Sequence, residues 1–419
     1  MAEVTISTPV GADAAGPDFL GAGKLEDGIG LCLSGGGFRA MLFHLGAFVR
    51  LNELGLLPRL VRIASVSGGS IAAGALAVAW KRLNFDEAGV AVNLDQLVAA
   101  PLIALAQKRV DVPAIGAGLL PFLSAANLAA RVYDRSLFHE ATLQDLPDSP
   151  RFSFTATSLQ TGTLWRFAKE YAADWRVGRW DKPSLKVSIA VGASAAFPPY
   201  LSPLYVKPPQ DLIVATEGAD LSGENFSRSL CLTDGGIYDN LGLEPVWKRY
   251  RTILVSDGGA LTSGLPSPRS NWLSQAVRTT NIALQQGINM RRRMLRGLHA
   301  SGARNVVYWG INDPVAAYNV GNPLDFTKAD SDIAAAAPTR LTRYPTDTQK
   351  LIVRAGYAHA DAALRASSLR DLMTHSADFS RLMAITSAIG ASSPSLGTKK
   401  GDRPRYASEA RPAHGNEVD

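Results

Sequence analysis

The amino-acid sequence predicts an α/β protein built on a mostly parallel sheet that is covered on both faces. Three observations predict it. Short apolar runs of strand length alternate with stretches whose apolar residues recur at helical spacing. Two of the strand-to-helix junctions are rich in glycine, which tight turns there require. Between residues 27 and 391 no internal repeat and no clear linker interrupts the alternation, so this stretch is expected to be a single domain.

The elements follow in order. Residues 28–33 (GIGLCL) are the first strand, followed by a glycine-rich turn and a helix over 40–54. A second strand at 60–66 (LVRIASV) leads into a helix of small residues at 71–80. Residues 151–156 and 164–167 are strands about a Thr161-Gly162 turn, and 230–233 and 252–255 add two more. Helical patterns at 271–297 and 347–367 complete the outer layer or cover the site. In sheets of this kind chemistry belongs at the carboxyl ends of the strands.

Composition sets the outer limits. With 419 residues, 46% hydrophobic and 19% charged, the chain buries a sizeable core and is neither disordered nor fibrous. A net charge of +6 is mildly basic and too diffuse to argue for nucleic acid or an anionic surface by itself. The one dense basic cluster is Arg291, Arg292, Arg293 and Arg296, expected to be a solvated helix face. Cys32 and Cys231 cannot make a disulfide framework; both sit in strand-like runs and are expected to be buried free thiols. A standard secretory signal peptide is absent, which points to a cytoplasmic protein, with export by a signal-free route left open. Residues 1–26 are expected to be a mobile leader and 392–419 a disordered tail. The segment 112–130 (VPAIGAGLLPFLSAANLAA) has no charge and approaches membrane-spanning length. Its prolines and glycines favour a buried cap over the site, or an apolar lid that touches lipid.

Three stretches carry chemistry. Ser65-Val66-Ser67-Gly68-Gly69 joins the second strand to its helix, and small residues two positions either side of Ser67 are what a nucleophile elbow needs. Ser65 stands where such an elbow usually has glycine. Ser34-Gly35-Gly36-Gly37-Phe38-Arg39-Ala40 lies at the first junction, where exposed N–H groups and a helix N-terminus form either a phosphate cradle or an oxyanion hole. No G-K-[ST] follows and no G-x-G-x-x-G is present, which disfavours a nucleotide site. Arg39 suits either a lipid phosphate or a brace for the loop. The third stretch, 233–242 (TDGGIYDNLG), puts Asp234 at a strand's carboxyl end, where a carboxylate can take a serine proton. Asp257, in Asp257-Gly258-Gly259, is a rival base. None of His44, His139, His299, His359, His375 and His414 stands in a triad-base context, so a two-residue dyad is expected.

With these stretches in chain order, and with 193–200 (ASAAFPPY) between them, the sequence resembles the patatin-like phospholipases, a family related to the catalytic domain of cytosolic phospholipase A2. The resemblance covers about Gly28 to Gly259. It implies a three-layer α/β/α fold and a Ser-Asp dyad, with Ser67 as nucleophile and Asp234 as base. Gly36 and Gly37 would supply the oxyanion hole, Gly35 would shape the loop, and Arg39 would bind substrate phosphate. The implied activity is a serine lipid acyl hydrolase of phospholipase A or lysophospholipase type, a carboxylic ester hydrolase working through an acyl-enzyme. An acyltransferase or thioesterase with the same dyad, or a non-catalytic lipid-binding protein, are the alternatives. The expected partners are a phospholipid or other lipid ester and a peripheral membrane surface, with no metal, cofactor or nucleic acid. Ala40 stands where many members have glycine, and with so little sequence before Gly28 no counterpart of a calcium-binding lipid module is expected and calcium dependence is not implied.

Overall fold

Strands alternate their two faces, and the sheet shows it directly. Leu31 and Leu33, Ile63 and Leu254 enter one buried cluster, while Cys32, Ala64, Ile253 and Val255 enter a second. Both faces of the central strands are therefore covered, which is why these strands read as continuous apolar runs rather than alternating ones. The computed structural model describes residues 25–111, 124–209, 211–322, 324–373 and 379–389. Most of the expected leader, the tail, His375 and His414, and the 112–123 part of the uncharged segment lie outside the described residues.

Among the described residues eleven strands form one sheet: β1 (Glu26–Leu33), β2 (Leu60–Ser65), β3 (Arg151–Ser158), β4 (Leu164–Ala168), β5 (Tyr171–Asp174), β6 (Gly178–Asp181), β7 (Leu204–Val206), β8 (Ile213–Val214), β9 (Leu230–Asp234), β10 (Tyr250–Asp257) and β11 (Asn305–Gly310). The central order β11-β10-β1-β2-β3 is parallel throughout. From β3 the sheet continues as an antiparallel extension through β4, β5, β6 and β8. The helices that matter here are α1 (Gly37–Glu53), α2 (Gly68–Ala79), α3 (Val187–Ser194), α4 (Trp272–Ala300) and α5 (Thr346–Arg365). No helix among the described residues is long and apolar enough to cross a membrane.

One edge of β3 is divided between two partners. Its first half pairs in parallel with β2, Ser65 lying opposite Phe154. Its second half pairs antiparallel with β9, Asp234 lying opposite Ala156. The other edge is occupied along residues 153–157 by β4, so β2 and β9 share the remaining edge end to end. Their carboxyl ends point at each other across one β3 residue, Thr155. The Thr155 hydroxyl donates to Ser65 O (3.0 Å) and that of Thr157 to Asp234 O (2.9 Å), which pins both ends.

Helix α1 is buried along its whole length and crosses α5 in backbone contact. A Cβ on Gly356 would lie 1.8 Å from Phe43 O, and one on Gly46 would lie 2.0 Å from Val353 O. Both α1 and α2 begin about three residues before the apolar periodicity does, because their first turns are the glycines of the two junctions.

Two expectations are corrected. Of the basic cluster, only Arg293 and Arg296 are exposed. Arg291 turns inward to Asp239 (3.2 Å) and Tyr238 O (2.7 Å), and Arg292 pairs with Asp257 (2.5 Å), because helical periodicity aims both at the sheet. Cys32 is a buried free thiol, but Cys231 is only half-buried, since it faces away from Leu230 and Leu232 on the short strand β9.

Candidate active site

Ser67 occupies the sharp turn between β2 and α2 with φ 49° and ψ −118°, a region that a residue bearing a Cβ rarely adopts. The turn closes because its neighbours lack side chains. A Cβ on Gly68 would sit 2.1 Å from Gly37 O, and one on Gly69 would sit 2.6 Å from Leu33 O. The two glycine-rich junctions therefore touch backbone to backbone. The Ser67 N–H donates to the Ser194 hydroxyl at the end of α3 (2.9 Å). Ser70 joins Ser194 (2.8 Å) to the buried Ser65 (3.0 Å), so the serine that replaces glycine in the elbow is part of a hydroxyl chain beneath it.

At the first junction Gly36 is the N-cap of α1 and Gly37 its first residue, with φ 145° and 61°. In those positions their N–H groups have no intrahelical acceptor, and both residues line the same cavity as Ser67. The Gly35 N–H is committed to Asn240 O (3.0 Å), which anchors the loop. Arg39 is buried; its Nε donates to Gly258 O (3.0 Å) and Nη1 to Ala337 O (2.5 Å), so the guanidinium braces the loop. Its Nη2 lies beside Gly36.

Asp234 ends β9 and is buried. Its Oδ1 accepts the Gly236 N–H (2.7 Å), while Oδ2 has no fully formed hydrogen bond. Burial raises the carboxyl pKa to about 7, against the opposing pull of the Gly236 N–H and of the Ser67 hydroxyl, which is near enough to act as donor. The Asp234 backbone is held by Ala196 O (3.0 Å) and that of Gly235 by Ser194 O (3.2 Å). The end of α3 thus touches both halves of the site. The 193–200 stretch resembled the family without a role assigned to Ser194; only the fold reveals the contact, because a hydroxyl from a distant helix leaves no local signal.

These residues open on a cavity of about 650 Å³, within the size range of small-ligand sites. Its far wall comes from α4 through Leu284 and Ile288 and from the 339–341 loop, and its rim from Phe197, Tyr200 and Leu261. Asn240 also lines it, its Oδ1 close to where Gly35 and Gly236 would carry side chains.

The rival Asp257 is excluded from this cavity by its partners: Arg292 (2.5 Å), the Tyr308 hydroxyl (2.8 Å) and the Gly259 N–H (3.0 Å) occupy it. No described histidine lines the cavity. His44 is buried with both ring nitrogens bonded, to Ser256 (2.8 Å) and Ser34 O (2.9 Å), and burial lowers its pKa to about 4. His359 is likewise buried and held near 3. Among the described residues no cluster of His, Cys, Asp or Glu could hold a metal ion.

Residues 31–247 match the patatin-like phospholipase family. The chain belongs to that family. A patatin-like fold is what the junctions and the α/β/α layering already describe. Among solved structures, human GIVD cytosolic phospholipase A2 is similar at 12% identity and a TM-score of 0.49, over 87% of this chain and 64% of that one. VipD from Legionella pneumophila is similar at 15% identity and a TM-score of 0.35, over 82% and 67%. The chain thus spans somewhat less than two thirds of the human structure. Comparison with curated proteins returns no match.

Proposed function

We propose that this patatin-like protein is a serine lipid acyl hydrolase of the phospholipase A or lysophospholipase type, with Ser67 as nucleophile and Asp234 as base. The observation that carries the reading is the meeting of β2 and β9 on one edge of β3, which supports a pairing of a strained serine with a buried carboxylate. The Ser67 hydroxyl oxygen attacks the acyl carbonyl while Asp234 takes its proton. The N–H groups of Gly36 and Gly37 receive the oxyanion; losing one such donor typically raises the barrier by about 3 kcal/mol. Collapse expels the alcohol, which recovers the proton from Asp234 and leaves an acyl-serine. Asp234 then takes a proton from water as it attacks that ester, the fatty acid leaves, and the serine hydroxyl is restored.

Arg39 acts on substrate chiefly through the loop it braces, with Nη2 alone left for a headgroup phosphate. The apolar wall from α4 supports a long acyl chain, and lipid esters of this kind imply contact with a membrane surface.

The test is hydrolysis of a fluorogenic acyl ester and of phospholipid by Ser67→Ala, Asp234→Asn and Asp257→Asn. The first two should lose at least a thousandfold in kcat with the protein still folded. Undiminished turnover by Ser67→Ala would sink the proposal, and selective loss in Asp257→Asn would move the base.

A further inference from the structure

Helix α4 carries one apolar stripe through three environments. Leu273, Val277, Leu284, Ile288 and Leu295 recur at alternating steps of four and seven, which keeps them on one side of a helix. Leu295 is buried against the sheet. Leu284 and Ile288 form the cavity wall. Leu273 and Val277 are exposed, Leu273 by 56%. Beside them Trp272 is 80% exposed, and Leu265, on the loop leading into the helix, is also open to solvent. Tyr200, which also lines the cavity, is 64% exposed. Single exposed apolar residues are ordinary, but a group that continues a cavity wall onto the surface marks a binding face.

The charge of this face is one-sided. From Gly258 to Asn312 the sequence contains no Asp or Glu. Arg269 and Arg278 flank the exposed apolar residues, and neither pairs with an acidic side chain among the described residues. On this stretch of chain the apolar residues have only cations for charged neighbours in sequence, the pattern of a helix that lies in an anionic lipid interface.

We infer that the N-terminal half of α4 and the loop before it form a docking surface for an anionic phospholipid bilayer, set so that the cavity mouth opens at the lipid interface. Trp272, Leu273, Leu265 and Tyr200 enter the interface, and Arg269 and Arg278 meet the headgroup charge. The identity of the surface rests on the lipid-hydrolase reading, so the two are tested separately.

Full-length Ser67→Ala protein, which leaves vesicles intact, is co-sedimented with phosphatidylcholine vesicles with and without equal phosphatidylglycerol. Binding should be at least tenfold tighter with phosphatidylglycerol. Adding Trp272→Ala/Leu273→Ala, or Arg269→Glu/Arg278→Glu, should weaken it at least tenfold. The same surface changes in the Ser67-intact chain should leave hydrolysis of a water-soluble short-chain ester unchanged, and their melting temperatures should match the parent. Docking as stated is overturned if the parent does not sediment with vesicles, if the surface variants bind as well as the parent, or if the parent is a dimer that Trp272→Ala/Leu273→Ala dissolves. Vesicle binding as expected with no ester hydrolysis by the intact chain would support docking and count against the hydrolase.

Discussion

Asp234 is held neutral by its surroundings over much of the acidic range, and that has two measurable consequences. As the proposed base it must be ionised, so kcat/KM should rise with pH and level off above about 7, the value to which burial pushes it. The same shift acts on stability. Because the folded pKa lies above the unfolded one, folding is most favoured below about pH 4, and this contribution is lost as pH rises through 7. At about 1.4 kcal/mol per pKa unit, the penalty above pH 7 is at most about 4 kcal/mol. Asp234→Asn should therefore raise the melting temperature at pH 8 and leave it unchanged at pH 3; equal shifts at both would count against a buried, raised carboxyl. Ser194 gives a second residue-scale prediction. Its hydroxyl accepts the Ser67 N–H, so Ser194→Ala should slow covalent labelling by a fluorophosphonate about tenfold, since a lost buried hydrogen bond is worth about 1–1.5 kcal/mol. An unchanged rate would show that the elbow holds itself. Ser67 and Asp234 stood out in the sequence because both end strands in glycine-rich turns. Ser194 and Asn240 did not, because each reaches the site through tertiary contact alone.

Two elements show how the site is framed. Helices α1 and α5 cross with Gly46 and Gly356 against opposing carbonyls. Gly356→Ala should force them apart and destabilise by about 1–3 kcal/mol, typical of overpacking, despite the better helix propensity of alanine. Denaturant titration would measure it, and a stabilised variant would show that the crossing is looser than described. Helix α4 is fastened to the sheet by Arg292 on the buried Asp257. Arg292→Ala leaves that carboxylate without its cation and should cost about 3–5 kcal/mol. Double substitution with Asp257→Asn should recover part of it. Periodicity revealed both long helices to within a few residues, since their apolar stripes are unbroken. It did not distinguish the solvated arginines of α4 from the paired ones, because a run of adjacent arginines points in every direction around the axis.

Across the whole molecule, the parallel centre was legible because strands buried on both faces are apolar throughout. Of the antiparallel extension only β4, across the Thr161-Gly162 turn from β3, was; β5, β6 and β8 are two to four residues long, too short to show alternation. Nor did any pattern announce that β2 and β9 would abut on β3. That arrangement makes β3 a ruler. The strand ends that lead to Ser67 and Asp234 take their spacing from Phe154 and Ala156 on one continuous strand, and residues 194–196 from the chain between β3 and β9 fasten both. A backbone break in the exposed turn around Gly218 should then leave the two fragments associated and the centre assembled. The protein is in this sense a candidate for splitting: its two halves, expressed apart, would carry Ser67 on one and Asp234 on the other, and the proposed activity would return only on their meeting.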